Sequence, residues 1–266
     1  MSKLGSATAF GAEAALWIAG AALIANAAGM QFNLRLPAIG LGSPAASHSA
    51  ATASGGSAKP SAAASPTISP IVQKYQAFIA RPDLQLAGTL TANESASVGE
   101  APIEITMTGT ISYKAGDDTD SRTVRTNGIV TLTDTVNIGP DSYSRVDGGT
   151  WTKSARKAAS VALENLMFSP TLQLVDRGAE VKNGAELHRI EVVDTAAFSK
   201  AMLKTIEGGT DAQYTYTIWV KNDGTPAVFR LAGWQQAPIN GVSTRIEYTE
   251  EDTITATSGV TITAPI

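Results

Sequence analysis

Ile103-Glu-Ile-Thr-Met-Thr-Gly-Thr-Ile-Ser-Tyr113 puts Ile103, Ile105, Met107, Ile111 and Tyr113 on one phase and Glu104, Thr106, Thr108, Thr110 and Ser112 on the other. Side chains alternate across a strand, so this pattern is that of a strand with one face buried and one in water. Upstream, Leu84, Leu86, Gly88 and Leu90 alternate with Gln85, Ala87, Thr89 and Thr91 in the same way. Downstream, Gly116-Asp117-Asp118 supplies a turn, and residues 122–138 hold at least one more strand. Residues 142–146 form another, closed by Asp147-Gly148-Gly149.

Three segments switch to the helical period. Ile71, Tyr75, Phe78 and Ile79 recur at helical spacing behind Ser69-Pro70, a cap residue followed by a first-turn proline, and Pro82 ends the run. Within residues 154–168, Ala155, Ala158, Ala159, Ala162, Leu163 and Leu166 share one stripe, stopped by Ser169-Pro170. Residues 196–206 make the third helix, ended at Gly208-Gly209. Strands are expected at 171–175 and 186–193, then at 213–220 and 225–232 around the turn Asn222-Asp223-Gly224, and finally at 243–256 and 260–264. Strands and helices do not alternate as βαβ units, which excludes a parallel sheet and leaves an antiparallel α+β fold.

The chain before these elements has a different composition. From Glu13 to Arg35 no residue is charged. Residues 1–35 therefore read as a signal anchor kept in the membrane, or as a signal peptide cut after Ala25-Asn26-Ala27. Residues 36–69 are Ala, Ser, Gly and Pro with little else, too poor in apolar surface to offset chain entropy, and read as a disordered linker. Residues 70–266 are the folded domain. The net charge is −4, and three of the four charges before Pro70 are basic (Lys3, Arg35 and Lys59 against Glu13), so the domain itself is more acidic. That balance repels phosphate backbones and argues against a nucleic-acid partner. Cysteine is absent, which rules out disulfides, thiolate chemistry and cysteine acylation.

In their order these elements resemble the LolA-type lipoprotein-carrier fold, and within it the LppX/LprG-like lipid-binding lipoproteins. The residues that carry the resemblance are Tyr216-Thr-Ile-Trp219-Val-Lys-Asn-Asp-Gly-Thr-Pro226, Phe229-Arg-Leu231, Thr244-Arg-Ile-Glu-Tyr248, Val260-Thr-Ile-Thr-Ala-Pro265 and Arg145-Val-Asp-Gly-Gly-Thr-Trp151. The resemblance implies a curved, incompletely closed antiparallel sheet, a half-barrel, with about three helices on its concave face around an apolar cavity. It also implies a lipid, an acyl chain or a lipoprotein as the ligand, held on the outer side of the cytoplasmic membrane. The chain departs from those lipoproteins in having no cysteine to acylate, and an uncleaved anchor would replace that attachment.

Catalytic patterns are missing. His188 is the one histidine of the folded part, it lies on an expected strand, and no Gly-x-Ser-x-Gly elbow exists. Asp117, Asp118 and Asp120 lack the rest of a calcium loop and read as acids at a hairpin tip. Glu250 and Asp252 can lie close on one strand face, as acid/base carboxylates would. No Gly-rich phosphate loop precedes a helix, so neither cofactor nor metal is expected. Tyr214, Tyr216, Trp219, Phe229, Trp234 and Tyr248 fit either an ordinary core or a ligand lining. If the strand faces are concave, Ile103, Ile105, Met107, Ile111, Tyr216, Ile218, Ile246 and Tyr248 face the helix residues Phe78, Leu163 and Leu166. Met107 and Ile218 would then be deep ligand contacts. The rival expectation is a non-catalytic envelope interaction domain whose core is filled.

Overall fold

The structure, a computed structural model, describes residues 68–98, 101–206, 208–239 and 242–265. The apolar segment and nearly all of the linker lie outside the described residues. Eleven strands form one antiparallel sheet: β1 (Gln85–Val98), β2 (Ala101–Lys114), β3 (Asp117–Thr126), β4 (Ile129–Ile138), β5 (Asp141–Val146), β6 (Thr152–Ala155), β7 (Leu174–Lys182), β8 (Ala185–Val192), β9 (Asp211–Val220), β10 (Pro226–Ile239) and β11 (Val242–Ala256). The order across the sheet is β6-β5-β4-β3-β2-β1-β11-β10-β9-β8-β7, so β1 and β11 join two meanders and the sheet does not close. Three helices accompany it: α1 (Pro70–Ile79), α2 (Ala158–Met167) and α3 (Thr195–Leu203). None of these is long and apolar enough to cross a membrane.

The expected antiparallel α+β architecture with three helices is the fold observed. Several boundaries differ, each for a local reason. Two-residue turns at Ala115-Gly116, Asn127-Gly128 and Asn183-Gly184 take positive φ at both positions, the geometry that matches strand twist in a tight hairpin. Asp117 and Asp118 therefore belong to β3 and not to the turn. The segment 122–138 is parts of two strands, and β7 runs on to Lys182. The helical stripe assigned to 154–168 starts only at Ala158, because Ser154 and Ala155 pair with β5 as the short edge strand β6. Residues 260–264 are not a strand; there the Val260 amide donates to the Gln85 side chain at 3.0 Å.

The sheet must bend strongly, and glycine permits it. A Cβ on Gly109 would lie 2.0 Å from the Ser121 carbonyl oxygen, and one on Gly233 2.0 Å from that of Gln213. Both positions fall on the buried phase, where neighbouring backbones approach too closely for any side chain. Arg122 on β3 also reaches Glu250 on β11 at 3.3 Å. Three strand spacings, about 14 Å, separate those strands along the sheet, so their inner faces turn toward each other.

The helices cover that inner face. In α1, Ser69 Oγ accepts from the Ile71 amide at 3.2 Å and Pro70 opens the first turn, while Ile71, Val72, Tyr75 and Ile79 face the core. Asp194 caps α3 through the Ala197 amide at 2.8 Å. Ser199 Oγ accepts from the Tyr214 amide at 2.8 Å and fixes α3 on β9. By contrast α2 has no side-chain cap at Lys157.

Candidate functional site

All eleven residues expected to contact a ligand meet in one core. Ile105, Met107, Ile111, Leu163, Tyr216, Ile218, Ile246 and Tyr248 are buried in it, and Phe78, Ile103 and Leu166 pack against its margin. They fill the space between sheet and helices. Met107 and Ile218 are 1% and 0% exposed. Of the six aromatics, Tyr214, Tyr216, Phe229 and Tyr248 point inward, and Trp219 and Trp234 lie on the outer face. There Trp219 packs with Leu187 and Val228 and donates to Glu180 at 2.6 Å.

Space opens at one end of the core. A cavity of about 20 Å³ is lined by Leu86, Ile111, Tyr113, Phe168, Phe229 and Ile254, with Asp118 and Glu164 at its edge. Phe168, directly after α2, plugs it: its ring sits 4.9 Å from that of Tyr113 and 5.9 Å from that of Phe229. On the solvent side of the plug lies a groove of about 300 Å³ between the end of α1 (Ile79, Arg81), the β2–β3 turn (Ala115, Gly116) and the end of α2 (Glu164, Asn165). Tyr113, Glu164 and Phe168 line both spaces, so the cavity and the groove adjoin at these side chains.

The interior also holds charge, which the sequence reading placed elsewhere. Asp118 and Asp120, expected as acids at a hairpin tip, are 3% and 6% exposed on the inner phase of β3 and so are buried strand residues. Arg122 Nε donates to both Asp120 oxygens, at 2.8 and 2.7 Å, and its Nη1 donates to Glu250 at 3.3 Å. The Tyr248 hydroxyl donates to the same Glu250 oxygen. Gly109 lies opposite Arg122 in the register, and Arg122 Nη1 also reaches the Met107 sulfur on β2 at 3.9 Å. Burial alone would lower the Arg122 pKa; Asp120, Glu250 and Tyr248 outweigh it and hold the guanidinium charged. Burial raises Glu250 to about 7 against the pull of Arg122. It also lifts Asp252 well above the carboxylate range, helped by neighbouring Glu250. Glu250 and Asp252 do share a face, as expected, but they are sealed among core side chains.

A second cluster sits beside the plugged cavity. Arg156 donates to Asp118 at 2.5 Å, to Glu164 of α2, and to the Gly116 carbonyl at 2.6 Å. The Asn137 amide donates to Asp118 at 2.9 Å. Burial, then the Glu164 carboxylate, push Asp118 up to about 8. Burial raises Glu164 as well, opposed by Arg156. One signal in the sequence could have found these groups. Asp118, Asp120 and Arg122 are in phase with Val124, and Glu250 and Asp252 are in phase with Ile246 and Tyr248, so the alternation itself sends charge to the buried side.

His188 has a local role. Its Nδ1 lies 3.5 Å from Asp176, which also accepts from the Ser69 hydroxyl at 2.8 Å. The serine donates to the aspartate and not to the histidine, so the three do not form a nucleophile–base chain. Among the described residues no group of acids or histidines is placed to hold a metal ion.

No family model matches the chain, and no curated protein does. Solved structures do. The chain is similar to the lipoprotein LppX of Mycobacterium tuberculosis, at 14% identity over 68% of this chain and 92% of that one, with a TM-score of 0.36. It is similar to LprF from Mycobacterium bovis, at 14% identity over 73% and 95%, with a TM-score of 0.36. A LolA superfamily protein from Nitrosomonas europaea matches at 8% identity over 69% and 91%, with a TM-score of 0.24.

Proposed function

We propose that this chain is a non-catalytic extracytoplasmic module that binds a lipid, an acyl chain or a lipoprotein. Its N-terminal segment would hold it to the outer side of the cytoplasmic membrane. One observation carries the reading: an apolar cavity, walled by Leu86, Ile111, Phe229 and Ile254, is separated from an open groove by Phe168 and its neighbours. The form described is closed. An acyl chain would enter by turning Phe168 aside and pushing α2 outward, and each methylene it buries would contribute about 0.8 kcal/mol. Its polar head would stay in the groove beside Arg81, Asn165 and Ser169.

The full chain, extracted from membranes in mild detergent, should carry lipid in native mass spectrometry. It should also take up the uncharged probe N-phenyl-1-naphthylamine, and Phe168→Ala should take it up faster. If neither lipid nor probe is held by the parent or the variant, the binding reading fails. A second reading, an envelope interaction domain with a filled core, then stands. It is favoured by the small volume of the enclosed cavity, about 20 Å³, room for a single water.

A further inference from the structure

Phe168 directly follows α2, and Arg156, just before the uncapped start of that helix, ties its Glu164 to Asp118 on β3. We propose that Asp118, Arg156 and Glu164 form a proton-operated latch: one retained proton lets two carboxyl groups share a single guanidinium and keep α2 and Phe168 over the cavity, and losing that proton releases them. The inference rests on the binding reading above, since it is the regulation of that same site.

The geometry sets the conflict. The three side chains are 4–7% exposed, so water screens little of their interaction. Arg156 ties together the β2–β3 turn through Gly116, β3 through Asp118 and α2 through Glu164, while its Nε is buried without a partner. One cation cannot neutralise two buried anions. Every element packed here adds either negative charge or none that compensates. Asp117 on β3 acts on Glu164 with the same sign, and Tyr113 on β2 and Asn137 on β4 are neutral. Asp120, next on the inner phase of β3, is engaged by Arg122. Leu86, Phe229 and Ile254 bring only apolar surface from β1, β10 and β11. Two further cations belong to the neighbouring segments: Lys157, the N-cap of α2, and Arg81, which lines the groove and pairs with Asp83 at 3.4 Å. With burial raising both carboxyl groups, the closed form binds a proton that the solvated open form has lost. The sign follows: the latch is tight in acid and loosens as pH rises toward the Asp118 value of about 8.

The chain has no cysteine, so Leu86→Cys places a unique thiol on the cavity wall behind Phe168. Its labelling rate by a small disulfide reagent should be measured from about pH 5.5 to about pH 8.5, alone and combined with Asp118→Asn. The ratio of the two rates cancels the thiol's own titration. One proton released on opening makes that ratio climb by up to about tenfold per pH unit and flatten above about pH 8. Glu164→Gln should flatten the climb as Asp118→Asn does, which keeps the test open if one variant fails to fold. A ratio that stays constant with both variants overturns the latch. N-phenyl-1-naphthylamine uptake on the same samples separates the two readings: a climbing ratio with no probe bound leaves the latch standing and removes lipid as the ligand.

Discussion

Arg122 is the residue on which the interior ion network depends. Asp120 and Glu250 are both buried against it, and no other cation contacts either carboxylate among the described ion pairs. Removing one partner of a buried pair leaves uncompensated charge in a medium that cannot solvate it. Arg122→Met should therefore lose about 3–5 kcal/mol in urea unfolding, and adding Asp120→Asn and Glu250→Gln should recover much of the loss. Ile218 poses the opposite case. It is fully enclosed between β9 neighbours and the helices, so Ile218→Trp overpacks the core and should destabilise by about 1–3 kcal/mol, as should Met107→Trp. An Ile218→Trp midpoint equal to the parent's would mean that hidden space exists there.

At the scale of elements, strand geometry comes from alternation and tight turns, while Gly88, Gly109 and Gly233 vacate the buried phase where neighbouring strands approach closely. Gly109→Ala forces a Cβ into the Ser121 carbonyl oxygen, and backbone rather than a flexible side chain must give way. The variant should lose at least about 1–3 kcal/mol and disturb Arg122, its partner in the register, and near-ultraviolet circular dichroism of the aromatic side chains would report the change. Retained stability and spectrum would remove the close approach as the cause of the bend. Most strands were legible because their pattern is local. Strand β6 was not, because its four residues are defined only by pairing with β5, and the alanine stripe that continues into α2 is equally compatible with helix.

For the whole molecule, the interior carboxyl groups set the direction of the pH response. Asp118, at about 8, and Glu250, at about 7, bind protons in the folded state that an unfolded carboxylate, near 4, has released. Their contribution is complete below about pH 4 and is lost as pH rises through the folded values, so stability should fall between about pH 5 and 8.5. Asp176 works the other way. Although burial opposes it, the Gly178 amide, Ser69 and His188 hold its carboxyl low, and its contribution is lost only as pH falls below the usual carboxylate range. Melting temperatures at constant ionic strength should drop across the higher interval, and Asp118→Asn with Glu250→Gln should shrink the drop. A melting temperature that rises instead would falsify the burial of these acids.

By itself the sequence determined an antiparallel sheet, the three helices and the two phases of most strands, because a period of two, a period of 3.6 and turn chemistry all act between residues close along the chain. It also sent Asp118, Asp120, Arg122, Glu250 and Asp252 to the buried phase, though nothing local says what they would meet there. Only the tertiary structure decided that Arg122 finds Glu250 across three strand spacings, that Arg156 joins β3 to α2, and that the expected cavity is almost filled. Each of these depends on how far an eleven-stranded sheet curls, and that is fixed by close approaches between strands distant in sequence. Alternation tells a side chain which way to point, and curvature alone tells it what stands opposite.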